Sequence, residues 1–102
     1  NERVDVTSDL VVSERGISIF GDGAGWADRN AGTIIAVKDS SIGTLLTMDG
    51  GFLHLLHGVN LHGDEKADTV LQFGDGTLDG NDWQIYRSSI THGASRNVNV
   101  LN

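Results

Sequence analysis

Two stretches of this chain read alike thirty residues apart. "LHLLHGVNLHG" (53–63) aligns with "WQIYRSSITHG" (83–93). Leu53 falls on Trp83, Leu55 on Ile85 and His62-Gly63 on His92-Gly93, while Leu61 falls on Ile90 after a slip of one residue. Further along, Val70 falls on Val98 and Phe73 on Leu101, twenty-eight apart. Each stretch reads strand, bend, short strand, His-Gly corner, polar loop, strand. A repeat of this length with small drifts in loop length is what one coil stacked on the next should show, with like residues in ladders. The expectation is parallel stacking of Leu53 on Trp83, Leu55 on Ile85 and Val70 on Val98, with Ile85 at an interior position.

The local signals agree with a β architecture. Candidate strands are Val4–Thr7, Leu10–Ser13, Ile17–Phe20, Thr33–Val37, Thr44–Met48, Phe52–Leu56, Val59–Leu61, Thr69–Phe73, Trp83–Tyr86, Ser88–Ile90 and Asn97–Leu101. They carry β-branched or large apolar residues at alternate positions, and Gly, Asp, Asn and Ser fill the gaps. No dozen-residue window shows apolar residues at helical spacing; Leu53 to Leu61 comes nearest, and Gly58 interrupts it. Fourteen glycines and no proline suit a chain that turns often. A β-sandwich also accommodates short strands, but the repeat favours an all-β solenoid over it.

The chain has 102 residues and a formal charge of −7. One domain with a modest core is the expectation. The negative charge argues against nucleic acid or an anionic membrane as partner, because both reward Lys and Arg, but leaves glycans open. Cysteine is absent, which removes disulfide and thiol chemistry. No apolar run approaches membrane-spanning length, and no signal peptide or Asn-x-Ser/Thr sequon is visible. The chain begins at Asn1 rather than Met, which reads as processing or as a piece of a longer β-helix.

In "GISIFGDGAGW" (16–26) an apolar strand runs into alternating glycines. A dinucleotide loop needs Gly-x-Gly-x-x-Gly followed by a helix, and the short, Gly-bounded run after Gly25 provides none. Asp22 would also repel phosphate. The run therefore reads as a corner from which residues 21–32 make an excursion carrying Trp26, Asp28 and Arg29. These three are the candidate substrate-binding residues: Trp26 to stack on a sugar face, Asp28 and Arg29 to bond hydroxyls or a uronate. The competing reading makes Trp26 a lid on the N-terminal end of the core.

No metal or other cofactor is expected. His54 and His57, three apart on a strand, point to opposite faces. His62 and His92 occupy equivalent corners and could stack, but two imidazoles without a third ligand make a poor zinc site. His62 and His92 read as polar corner residues beside Gly63 and Gly93. Asp64, Glu65 and Asp68, then Asp75, Asp79 and Asp82, cluster in two loops. "FGDGTLDGND" is a single, imperfect match to a Ca²⁺-binding nonapeptide repeat and reads as a solvated turn, with calcium as the minor alternative. Paired carboxylates could serve glycoside hydrolysis, but spacing alone does not show whether two share a groove. Acyl-transfer motifs are missing.

With the strands placed, "VDVTSDLVVSERGISIFGDGAG", the strand Thr33–Val37, "GVNLHG" and "IYRSSITHG" resemble the coils of right-handed parallel β-helix proteins of the pectin lyase-like superfamily. "GDGAGWADRN" is similar to an early stretch of the inulin fructotransferases, and comparable openings occur in polysaccharide lyases, glycoside hydrolases, epimerases and phage tailspikes. The resemblance implies N-terminal coils, residues 1–102, of a right-handed parallel β-helix that continues beyond this segment. It implies a secreted or extracellular carbohydrate-active protein that binds or processes polysaccharide, fructan or acidic glycan, with its catalytic residues on coils outside the segment; no catalytic residue is carried over. The alternative it implies is a non-catalytic scaffold such as a tailspike on a virion surface or an adhesin. Further coils of the same protein, or a homotrimer, would cover the open end at residues 97–101.

Overall fold

The computed structural model describes residues 2–23, 32–49, 52–74 and 81–101. They form β1 (Glu2–Val6), β2 (Leu10–Val12), β3 (Ser18–Phe20), β4 (Thr33–Val37), β5 (Ile42–Met48), β6 (Phe52–His57), β7 (Val59–His62), β8 (Ala67–Phe73), β9 (Asn81–Tyr86), β10 (Ser89–Thr91) and β11 (Arg96–Val100), and no helix. Each coincides with one of the expected strands, with ends shifted by at most a few residues.

The strands sort into three sheets. The first runs β1-β4-β7-β10, the second β2-β5-β8-β11 and the third β3-β6-β9. Every pairing is parallel. Each strand thus bonds to the strand three places further along the chain, and the chain visits the three sheets in fixed rotation. Parallel neighbours need a crossover between them; here the crossover is two more strands. The chain is all-β with parallel sheets, an arrangement compatible with a parallel β-helix.

Alternation along the strands supplies the core. From the first sheet come Val37, Val59 and Leu61, from the second Leu46, Met48, Leu71 and Phe73, and from the third Leu56. Ile19 and Ile85 are half-buried against this cluster. Burying each such aliphatic side chain stabilises the fold by about 1.5–3 kcal/mol. On the outer face of the second sheet Thr47, Gln72 and Asn99 share one register row with the exposed Val11, and Asn99 Nδ2 donates to Gln72 Oε1 at 3.3 Å.

The offset in the third sheet is 29, not 30. His54 pairs with Trp83, Leu55 with Gln84 and Leu56 with Ile85, so Leu53 does not stack on Trp83, nor Leu55 on Ile85. Phe52, ahead of Leu53, already pairs with Asn81, so the whole strand keeps this offset. Leu53 has φ 68° and a side chain 59% exposed, and His54 takes the inner place that the pattern gave to Leu53. The register puts Gly16, Leu53 and Asp82 in one row, and all three have positive φ, 67°, 68° and 52°. A left-handed bend therefore recurs at the third-sheet strand in each layer; Gly16 announces it by residue type, Asp82 more weakly and Leu53 not at all.

The second sheet shows a similar slip. Val98 pairs with Leu71 rather than Val70, and Phe73 with Val100 rather than Leu101. Val70 Cγ2 instead fills the space that a Cβ at Gly63 or Gly93 would need. The expected slip of Leu61 onto Ile90 is observed.

Candidate functional site: the outer face of the third sheet

β3, β6 and β9 each end on a ring followed by a corner. Phe20, His57 and Tyr86 lie in one register row. Their inner neighbours Ile19, Leu56 and Ile85 point to the core, so the period-2 geometry of a strand turns the three rings outward. Phe20 and His57 have centroids 5.7 Å apart with planes at 46°; His57 and Tyr86 are 5.2 Å apart at 33°. Those spacings follow from the distance between neighbouring strands, about 4.8 Å. Phe20 is 67% and Tyr86 53% exposed. Large apolar rings left in water and aligned across strands form a surface to which something can bind.

The corner after the row is tight. Gly58 has φ 71°, and a Cβ there would lie 2.6 Å from the carbonyl oxygen of Gly21. Gly58 N–H donates to Tyr86 O at 3.1 Å, and Gly21 N–H to His57 O at 2.9 Å, so the corners are bonded layer to layer. The described part of the glycine run, Gly21 to Gly23, is thus a stacking corner, as expected. Arg87 occupies the place of Gly58 one layer on, with φ 49°. Its guanidinium carbon lies 5.3 Å from the centroid of the Tyr86 ring.

At the other end of these strands, beside the left-handed bends, is an open groove of about 360 Å³ lined by Leu53, His54, Leu55, Asp82, Trp83 and Gln84. Apolar walls with a few polar groups suit a ligand that is itself part apolar and part hydroxylated. His54 is 2% exposed, with Nε2 2.7 Å from the main-chain oxygen of Asp49. A carbonyl can only accept, so Nε2 carries a proton and donates it. Among the described residues Nδ1 and the buried Oδ1 of Asp49 have no hydrogen-bond partner. His54 is therefore a core residue facing Phe73, which stacks on Trp83 at 4.7 Å. His57 does face the opposite way.

The other candidates fall elsewhere. Trp26, Asp28 and Arg29 lie outside the described residues, as do Asp75 and Asp79. His62 and His92 do stack, with centroids 4.2 Å apart at 21°. Stacked rings point their nitrogens alongside each other, not at a shared ion, and Asp64 N–H donates to His62 Nδ1 at 3.1 Å. Among the described residues no three His, Asp or Glu side chains gather as a metal site. Asp64 pairs with Lys66 at 3.2 Å, and Asp68 accepts from Ser95 Oγ. Comparison with family models, curated proteins and solved structures gave no match.

The sequence reading missed the Phe20–His57–Tyr86 row. The steps between them are 37 and 29 residues, so no fixed period finds them. A usable signal was the corner that follows each ring: Phe20-Gly21, His57-Gly58, Tyr86-Arg87.

Proposed function

We propose that this chain is a run of coils from a right-handed parallel β-helix that binds polysaccharide, and that the outer face of its third sheet meets the glycan. The observation that carries the reading is the exposed row of three rings, continued sideways by the groove at Leu53, Asp82 and Gln84. Sugar rings present apolar C–H faces that pack on aromatic surface, and hydroxyls that bond to carboxamides and carboxylates. A row set across the strands suits an extended polymer lying along the stacking direction. Binding of this kind serves a lyase, hydrolase or fructotransferase whose catalytic coils are elsewhere, and equally a non-catalytic fibre or adhesin. The resemblance adds a secreted or virion-surface setting.

The test is a glycan panel, fructans and acidic polysaccharides included, against the protein and its Phe20→Ala and Tyr86→Ala variants. Weaker binding by folded variants is expected. Equal binding by both variants, or no glycan bound by the parent, would sink the reading. Leu53, an exposed aliphatic side chain at the other end of β6, favours a second reading in which this face packs against another copy. Sedimentation over a range of concentrations separates the two: a monomer that binds glycan supports the first, and a stable oligomer lost on Leu53→Asp supports the second.

A further inference from the structure

Leu53 and Leu55, one exposed and one half-buried aliphatic side chain, share the outer face of β6 with His57. In the row of Leu55 the flanking strands are polar, with exposed Ser18 on β3 and exposed Gln84 on β9. Charges mark the corners of this face. At the ring end, Asp22 follows Phe20 on the β3 side and Arg87 follows Tyr86 on the β9 side. At the opposite end the signs are exchanged: Arg15 precedes Gly16 on the β3 side, and Asp82 stands on the β9 side. All four are exposed, and among the described residues Asp22 and Arg87 belong to neither ion pair, which are Arg3 with Asp5 and Lys66 with Asp64. An apolar strip inside a polar rim is the anatomy of a protein–protein contact. Alternating signs at its corners make the face complementary to itself. Half a turn of a second copy about an axis along β6 exchanges the β3 and β9 sides and keeps the strand direction. Asp22 then meets Arg87, Arg15 meets Asp82 and Phe20 meets Tyr86, while Leu53 and Leu55 meet their own counterparts. A two-fold axis across the strands also matches the charges, but it sets Phe20 against Gly16 and Tyr86 against Asp82, which leaves the rings without an apolar partner.

We infer that two copies of this chain pair through the outer face of the third sheet, on a two-fold axis along β6, with Asp22 of each copy against Arg87 of the other. The inference rests on the second reading above, that this face packs against another copy, and fixes which groups meet. Three strands about 4.8 Å apart and about 20 Å long offer roughly 300 Å² in projection, well short of the roughly 800 Å² per partner of a stable interface. The pair is therefore weak and reversible, and a glycan lying along the ring row competes with it.

The test is charge exchange, read by sedimentation equilibrium up to millimolar concentration, with circular dichroism to establish that each variant folds. The parent should show a monomer–dimer equilibrium that added salt weakens. Asp22→Arg or Arg87→Asp alone should raise the dissociation constant about ten-fold or more, because each sets like charges together twice in a two-fold pair. Both changes in one chain restore opposite charges at the contact and should recover most of the parent's affinity. Single variants that pair as the parent does overturn the inference. So does a double variant no tighter than the singles, the result a two-fold axis across the strands would give, since each reversed charge would then face its like. In either case Leu53→Asp decides whether the second reading survives: a monomeric Leu53→Asp keeps this face as the contact, and an unchanged dimer removes it. A parent that stays monomeric at every concentration overturns both and leaves the glycan reading standing.

Discussion

Ile19, Leu56 and Ile85 form one column of the third sheet, and Phe20, His57 and Tyr86 form the next, one residue along on the same three strands. The hydrogen-bonded ladder gives both columns the same spacing. Leu56 is 0% exposed, while Phe20 and Tyr86 are mostly in water. The inner column carries branched aliphatics, which fill an enclosed space; the outer carries rings, which keep a face or edge for something else. A residue that contributes area to the core is constrained by packing, whereas exposed aromatics gain little from folding. The contrast separates what holds the third sheet in place from what it presents.

The largest expected effect is on the inner column. Leu56→Ala should lower the unfolding free energy by about 2–5 kcal/mol, measured by urea denaturation. Leu56 has a strand of the same sheet on each side, β3 and β9, while Ile85 is half-buried in a strand bonded only to β6 among the described residues. Ile85→Ala should therefore cost less than Leu56→Ala, and equal costs would break the view that a layer on each side makes the core. Gly58→Ala comes next. The new methyl would meet the Gly21 carbonyl oxygen at 2.6 Å and the backbone is left-handed, so a loss of about 1–3 kcal/mol is expected. An unchanged melting temperature would show that the corners can part without disturbing the columns.

Much of this architecture could be read from the chain. Alternation in runs such as Thr33–Val37 and Thr69–Phe73 located the strands, and the repeat indicated parallel stacking. The register could not be read so well. Leucine carries no mark of left-handed backbone, so the inner place of His54 was hidden, and the thirty-residue alignment is one residue off the observed pairing. The same slip hid the candidate site: at an offset of thirty His57 falls on Arg87, and only at twenty-nine does it meet Tyr86. The three-residue spacing places His54 and His57 on opposite faces; that His54 is the inner one shows only when its Nε2 is seen to have a carbonyl and its ring to lie beside Phe73.

The smallest effect on stability should come from the outer column, and it sharpens the contrast most. Tyr86→Ala removes a ring that touches His57 on one side and carries Arg87 over it. An aromatic pair is worth about 0.5–1.5 kcal/mol beyond burial, and an exposed cation–π contact about 0.5–1 kcal/mol. Truncation also releases a half-hydrated side chain, which recovers rotamer entropy and offsets part of the loss. A change of about 1 kcal/mol or less is expected from urea unfolding, well below that of Leu56→Ala. Phe20→Ala should behave alike, since Phe20 meets the row only through His57. The two effects should add, because the rings do not share a contact except through the middle one; a double variant that falls short of the sum would show His57 re-seating itself between them. A Tyr86→Ala variant that unfolds as readily as Leu56→Ala would place the outer column among the determinants of the fold and remove the reason for calling it a binding surface.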